Sequence, residues 1–356
     1  MPISTLTSRR QFLTILGASA AAAGCGRAAA GGPPSRRTTT LRYQGWAGQV
    51  TLPELAADLG YLGDVKLDWV GNTISGPQDI QSAATGQIDV GGAFNGAVVK
   101  LAARQAPITA VISYYGVDQL EFNGFYVRED SPIRAARDLL GAKVAMNTLG
   151  AHDEAMLDIY LQRNGLSAAQ IGKVEPVALP PVNTEQAVRA KQVDVGVLEG
   201  IWRDAALASG GLRLLFSDYQ LLGSFSAGTY VMTKNFLRTN PDTARTFVTG
   251  VARTIEWTRT TPRAEVISRM TDIVHRRGRS EDANALRYWK SEGVAEPGGR
   301  VTDQEFQIWI DWLSKRGDIP RNAVTASALY TNEFNDYRPS GAPASVRASA
   351  GGQAIA

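Results

Sequence analysis

Gln81-Ser82-Ala83-Ala84-Thr85-Gly86-Gln87-Ile88-Asp89-Val90-Gly91 and Gln186-Ala187-Val188-Arg189-Ala190-Lys191-Gln192-Val193-Asp194-Val195-Gly196 echo each other within one chain. The two stretches lie 105 positions apart, Asp89 matching Asp194, and agree at five of eleven places. Each reads as a helix, a tight turn and a strand whose C-terminal end carries glycine. In open α/β sheets the crevice beyond the carboxyl ends of the strands is where ligands sit. Two such units facing each other make a two-sided cleft.

Outward from these stretches the chain alternates short β-type runs with helical patterns, which predicts α/β domains with mostly parallel sheets. Leu41–Tyr43 starts a strand that ends at Gly45-Trp46-Ala47-Gly48. A helix over 52–62, a strand over 65–70 and a helix opening at Gly76-Pro77-Gln78-Asp79 follow, the last with proline in its first turn. Strands are expected at 88–91 and 108–113, with a helix between them that runs to Arg104. A second unit then offers strands at 143–146, 174–178, 193–198 and 212–216, and helices at 151–164 and 184–191. From Asn235 on the pattern is helical, with Pro241-Asp242 opening a long helix.

The ends differ in composition. Ser8-Arg9-Arg10-Gln11-Phe12-Leu13 precedes a short alanine-rich stretch and then Ala22-Ala23-Gly24-Cys25. A paired-arginine start, a brief apolar run and small residues before a cut site describe a bacterial export signal of the twin-arginine class. The apolar stretch falls short of the roughly 20 residues that cross a bilayer. The residues before Cys25 resemble a lipobox, so Cys25 is the expected lipidation site and the protein is expected outside the cytoplasm, tethered to the membrane. Cys25 is the only cysteine, which leaves none for an intramolecular disulfide or a thiolate zinc site. No metal and no cofactor are expected.

Charge follows the same division. The whole chain stands at +3. Without residues 1–24, which hold Arg9 and Arg10 and no acids, 35 basic side chains face 34 acidic ones. Beyond residue 40, with Arg27, Arg36 and Arg37 also set aside, the balance is 32 against 34. A nucleic-acid face is therefore not indicated, while arginines beside a single acyl chain strengthen a weak anchor. The expected organisation is an export signal over 1–24, a flexible tether over 25–40 and a disordered tail over 339–356. The remaining body of about 300 residues exceeds one comfortable core, so two domains are expected.

Several short motifs together resemble the substrate-binding proteins of ABC importers for nitrate, sulfonates and taurine, the SsuA/NrtA/TauA (NMT1/THI5-like) family. They are Ser75-Gly76-Pro77, Ala84 to Gly91, Ala106-Pro107-Ile108, Asp138 to Ala145, Leu179-Pro180-Pro181 and Asp194-Val195-Gly196. The resemblance implies a periplasmic-binding-protein fold of type II: two α/β lobes, a ligand cleft between them, and two crossover strands near 123–128 and 228–233. Lobe 1 is then discontinuous, 41–125 with 228–338, and lobe 2 is 126–227. The implied mechanism is hinge closure around a small solute, because a ligand bridging both lobes makes contacts that only the closed state satisfies. A membrane permease and its ATPase are the implied partners of a monomeric receptor.

Seven positions are candidates for the ligand. Ser75 and Gly76 stand at a helix N-terminus, where free N–H groups favour an anionic group, although Ser75 with Gln78 also reads as a capping box. Trp46 can wall a ligand, and Asn95 sits where the family places small polar residues. His152 and Asp153 replace the hydroxyl residues that the family has at a helix start, and Asp153 repels sulfonate or nitrate. Glu199 stands where the family has an aromatic; a buried carboxylate needs a partner, either Arg203 or a ligand N–H. These acids favour a zwitterion or a nitrogen-bearing organic anion over bare nitrate. Two other functions compete: a receptor that reports to a sensor kinase, and an enzyme or precursor binder of the thiamine-pyrimidine type on the same fold. The chain lacks the HExxH, P-loop and nucleophile-elbow signatures that an enzyme would show.

Overall fold

A computed structural model describes residues 38–338. The export segment, Cys25, most of the tether and the tail lie outside the described residues. Lobe 1 opens with β1 (Thr40–Gly45), α1 (Leu52–Asp58), β2 (Lys66–Asn72), α2 (Gly76–Ala84), β3 (Gly91–Phe94), α3 (Asn95–Ala103) and β4 (Ile108–Val117). Lobe 2 follows with β5 (Gly124–Arg128), β6 (Lys143–Met146), α4 (His152–Arg163), the short α5 (Ala168–Ile171), β7 (Glu175–Ala178), α6 (Pro181–Arg189), β8 (Val195–Leu198), α7 (Gly200–Ala208), β9 (Leu212–Ser217) and α8 (Asp218–Leu222). The chain returns to lobe 1 through β10 (Phe225–Thr233), α9 (Lys234–Thr239), α10 (Pro241–Thr260), α11 (Arg263–Arg276) and α12 (Asp303–Arg316).

Lobe 2 is one five-stranded sheet in the order β7-β6-β8-β5-β9. There β6 pairs in parallel with β7 and β8, and β5 runs antiparallel between β8 and β9. Lobe 1 repeats the order in two pieces, a parallel β2-β1 pair and β3-β10-β4, with β10 antiparallel to both neighbours.

The echo seen in the sequence has a physical content in each lobe. Asp89 N–H donates to the Arg42 carbonyl at 2.9 Å, and its carboxylate accepts the Arg42 backbone N–H at 2.8 Å. Asp194 does the same to Lys143, at 3.0 and 2.8 Å. Each aspartate thus stitches the turn after a helix to a strand of the parallel part of its lobe, β1 in lobe 1 and β6 in lobe 2. Arg42 adds its guanidinium to Asp89 at 3.0 and 2.8 Å. The matched glycines are contact points. A Cβ on Gly91 would lie 2.7 Å from the Asp79 carbonyl on α2, and one on Gly196 would lie 2.6 Å from Val188 Cγ2 on α6. Helix and strand approach this closely only where the strand has no side chain.

Three expectations need correction. The predicted strand 88–91 starts where it was to end, because residues 88–90 form the turn that carries the Asp89 stitch. The helix predicted over 52–62 stops at Asp58, since Gly60 and Gly63 take positive φ (72° and 52°) and turn the chain. The crossovers are not the strands near 123–128 and 228–233. Strand β5 has partners on both edges within lobe 2, and β10 has them within lobe 1. The chain passes between lobes at 118–123 and, after α8, at 223–224, outside both sheets.

Aromatic packing fills the cores. Trp309, Phe247 and Phe306 are fully buried in lobe 1, and Phe125 stacks on Phe216 at 4.1 Å in lobe 2. The lobes also touch behind the cleft, where Arg316 of α12 bridges Glu154 (3.0 Å) and Asp158 (2.6 Å) of α4. No helix among the described residues is long and apolar enough to cross a membrane.

Gly196→Val is expected to destabilise the protein by about 1–3 kcal/mol through overpacking against Thr184 and Val188. The check is the midpoint of urea unfolding, and an unchanged midpoint contradicts the close approach.

Candidate functional site

A cavity of about 240 Å³ is lined from both lobes. Its position follows from the sheets. Trp46, Phe94, Asn147 and Glu199 line it, and each stands at or just past the carboxyl end of a strand: β1, β3, β6 and β8. That is the crevice in which open α/β sheets bind ligands. Gly76 and Pro77 add the start of α2, and Tyr114, Tyr115 and Tyr230 add the floor formed by β4 and β10. Tyr114 stacks on Tyr230 at 4.1 Å and meets Tyr115 edge-on at 4.9 Å.

Five of the seven expected positions line the cavity: Trp46, Gly76, His152, Asp153 and Glu199. Ser75 stands behind that wall. It is the N-cap of α2 but makes no side-chain cap, so the capping box with Gln78 does not form. Its hydroxyl instead accepts from Thr148 Oγ1 of lobe 2 at 3.4 Å, a contact across the cleft. Asn95 is a correction. It is fully buried, and its Nδ2 donates to the Glu305 carbonyl at 3.3 Å inside lobe 1. Phe94 takes the cavity wall because Asn95 already belongs to α3, which turns inward.

The polar centre is a carboxylate network that Asn123 and Asp218 organise. Asn123 Nδ2 donates to Asp153 at 2.7 Å and to Glu199 at 3.3 Å. The same residue's backbone N–H donates to Asp218 Oδ1 (3.0 Å), and Asp218 N–H donates back to the Asn123 carbonyl (3.1 Å). Asn123 ends one crossover and Asp218 opens α8, the helix that leads into the other, so reciprocal hydrogen bonds tie the two connections together. His152 Nε2 donates to Asp218 Oδ2 at 2.9 Å, and His152 Nδ1 has no partner among the described residues. The predicted alternative of Arg203 as partner to Glu199 does not occur. Arg203 pairs with Asp204 at 3.0 Å and donates to the carbonyls of Phe122 and Leu120.

Burial dominates the titration of this centre. It pushes Glu199 from 4.5 up to about 7; Asp153 beside it pushes the same way, against the pull of His152. Burial likewise raises Asp153, with His152 and Asn123 opposing. Glu121, also on the wall, is raised well above its ordinary value by burial, and Arg203 only partly offsets this. Glu292 is pushed by burial to about 7, although Trp289 Nε1 donates to it at 3.0 Å. For His152, burial lowers the pKa, but the hydrogen bond and charge of Asp218 outweigh it and the net shift is upward.

Sequence reasoning missed Glu121, Asn123, Glu292 and the tyrosine floor. Glu121 and Asn123 lie in an irregular crossover with no periodicity to mark them. Glu292 comes from a C-terminal segment nearly 100 residues beyond Glu199, and only the fold brings it to the cavity. Among the described residues, no group of three or more His, Cys, Asp or Glu side chains is arranged to hold a metal ion.

Two lobes with the strand order 2-1-3-n-4, the nth strand inserted from the other side of a crossover, define the type II periplasmic-binding-protein class. A model of the NMT1/THI5 like family matches residues 54–265, more than half of the chain, and the chain belongs to that family. An aliphatic sulfonates-binding protein of Escherichia coli (strain K12), so named, is 31% identical over 164 residues, 45% of this chain. The match spans 49% of that relative, about half its length. Among solved structures, the alkanesulfonate-binding protein SsuA from Xanthomonas axonopodis pv. citri, bound to MOPS, superposes with a TM-score of 0.65 at 20% identity, covering 83% of this chain and 99% of that one. The desulfurization enzyme DSZB superposes at 0.56 with 16% identity, covering 83% and 97%. At these identities the likenesses establish the fold, which binding proteins and an enzyme share.

The raised carboxyls make a signed prediction for stability. Glu199 is protonated in folded and unfolded chains below about pH 4.5, where its contribution is fully present; that contribution is lost as pH rises through about 7. Glu199→Gln is therefore expected to match the parent Tm near pH 4.5 and to exceed it at pH 8. Thermal melts across that range check this, and a variant less stable at pH 8 contradicts it.

Proposed function

We propose that this protein is a lipid-tethered, extracytoplasmic solute receptor of an ABC importer. It closes its lobes on a small nitrogen-bearing organic molecule and delivers it unaltered to a permease and its ATPase. The observation that carries the proposal is a cavity lined from two lobes that the chain joins through two short crossovers. A solute there touches both lobes, and contacts available only in the closed arrangement drive closure. Family membership and the sulfonate-binding names of the relatives support a binding role. Cys25, at the end of the export segment, supplies the anchor in this account, and residues 25–40 the tether. The two discontinuous segments of lobe 1 and the single segment of lobe 2 then move about the crossovers.

Within that account Asp153 and Glu199 accept N–H donors of the solute, Asn123 holds both carboxylates in place, and Trp46 and Gly76 form the opposing wall. The nitrogen-bearing class rests on the acids that stand where an anion receptor needs donors.

The experiment is a thermal-shift screen of the purified protein over amines, amino acids, nitrogen heterocycles, sulfonates and nitrate, with hits confirmed by calorimetry. A receptor gains about 2.7 kcal/mol of stability at a ligand concentration 100 times Kd. Asp153→Ala and Glu199→Ala are each expected to weaken a hit at least tenfold, about 1.4 kcal/mol. X-ray scattering with the hit present is expected to show a more compact particle. No hit across the screen, or chemical conversion of a hit, overturns the proposal.

A further inference from the structure

We propose that the cavity selects an amphiphilic organic cation, a protonated amine with an apolar body, and rejects the sulfonates that its relatives' names record. This rests on the receptor account above and sets the sign of the ligand's charge.

The first observation is a charge census. Among the described residues, four carboxyl groups line the cavity, Glu121, Asp153, Glu199 and Glu292, and no lysine or arginine does. Lys100 Nζ lies beside Gly150 without lining the cavity, and the arginines close by are committed elsewhere. Arg203 is held by Asp204 and two backbone carbonyls and lies 3.9 Å over the Phe122 ring. Arg277 and Arg279 pair with Glu54, at 3.1 and 2.9 Å. The single titratable cation on the wall, His152, is matched by Asp218, which is itself fully buried. The wall therefore holds acids in excess. A sulfonate there would meet acid groups and no lysine or arginine to receive it, in a setting where each buried charge needs a partner.

The second observation is that the acceptors are left open. None of the described residues donates to the Glu121 carboxylate, and Glu199 receives only the 3.3 Å contact from Asn123. His152 is 6% exposed and lines the cavity, but Asp218 favours its protonated form, so its ring is not counted among the acceptors. An ammonium carries several donors and no acceptor, which complements this set. The aromatic residues Trp46, Tyr115 and Trp202 line the same space, and aromatic faces attract organic cations.

The third observation is an apolar annex. Val50, Leu52, Met270 and Leu286 line the cavity's lobe 1 extension, and Leu52, Met270 and Leu286 are at most 3% exposed. Hydrocarbon placed there is removed from water at about 25 cal/mol per Å². Trp289 borders the annex and is oriented by its hydrogen bond to Glu292. One wall thus suits a charged head and the other a short alkyl or aryl body.

The same groups set the pH response. The groups that face Glu199 are Asp153, His152, Asp218 and Glu121 from lobe 2 and the crossovers, and Tyr115, Tyr114 and Glu292 from lobe 1. The tyrosines stay neutral, because burial raises them further. A bound cation favours the carboxylates and displaces their protons, so affinity rises with pH through the region near 7. A bound anion does the reverse.

The test is calorimetry of the purified protein with n-hexylammonium and hexane-1-sulfonate, which share a chain and differ in charge. The amine stays protonated from pH 6 to 8, so any pH dependence belongs to the protein. The expected result is an ammonium affinity at least tenfold above that for the sulfonate, rising severalfold from pH 6 to 8. Glu199→Gln and Glu121→Gln, each confirmed folded by its melting curve, are expected to weaken the ammonium at least threefold and to flatten its pH slope. Tighter binding of the sulfonate, an ammonium affinity that falls with pH, or binding of neither probe overturns the cation assignment. If a different solute from the broader screen still binds, the receptor account survives that result; if none binds, both fall.

Discussion

Everything in this molecule is hung from one backbone stitch made twice. In each lobe an aspartate after a helix closes a two-way hydrogen-bonded pair with a parallel strand, Asp89 with Arg42 on β1 and Asp194 with Lys143 on β6. A glycine two residues later lets the preceding helix lie against the sheet. Together they place Trp46, Phe94, Asn147 and Glu199 at neighbouring strand ends, and the cavity is the space those residues enclose. A carboxylate that accepts a backbone N–H is stronger and more directional than a packing contact, which suits a joint that must hold while lobes move.

Much of this could be read from residues alone, and the reasons differ from place to place. The echo around Asp89 and Asp194 was legible because a side chain that must reach a backbone N–H, beside a glycine that must admit a helix, leaves a fixed local spacing. Strand β6 and helix α4 were legible because their periodicity is local too. The crossovers were not. Whether β5 belongs to one sheet or bridges two depends on partners, β8 and β9, that come about 70 to 90 residues later. Asn95 misled for a related reason: a polar residue just past a strand end can face the cleft or begin a helix that turns inward, and the choice rests on packing against Glu305, some 200 residues away.

The site was half legible. Asp153 stood out as an acid where the family has hydroxyl donors and Glu199 as one where it has an aromatic, and the structure puts both on the cavity wall, bridged by Asn123. Glu121 and Glu292 add to the same excess from segments without regular structure. Burial with few countercharges explains the upward shifts of all four carboxyls. The expectation of an anionic end on the ligand weakens accordingly, since no cationic side chain is present on the wall to receive one. Fold likeness to alkanesulfonate-binding proteins fixes the scaffold, and the wall residues of this chain decide what the scaffold holds.

The tie between Asn123 and Asp218 has a mechanical meaning. One asparagine grips both cavity-lining carboxylates with its amide and the start of α8 with its backbone, while Asp218 at that start grips the imidazole on the cavity wall. Pivot and binding chemistry are therefore a single hydrogen-bonded object. Rotation of one half against the other cannot leave the carboxylates' surroundings unaltered, and a proton arriving at or leaving Glu199 cannot leave the pivot untouched. In such a molecule, angle and protonation are two descriptions of one coordinate.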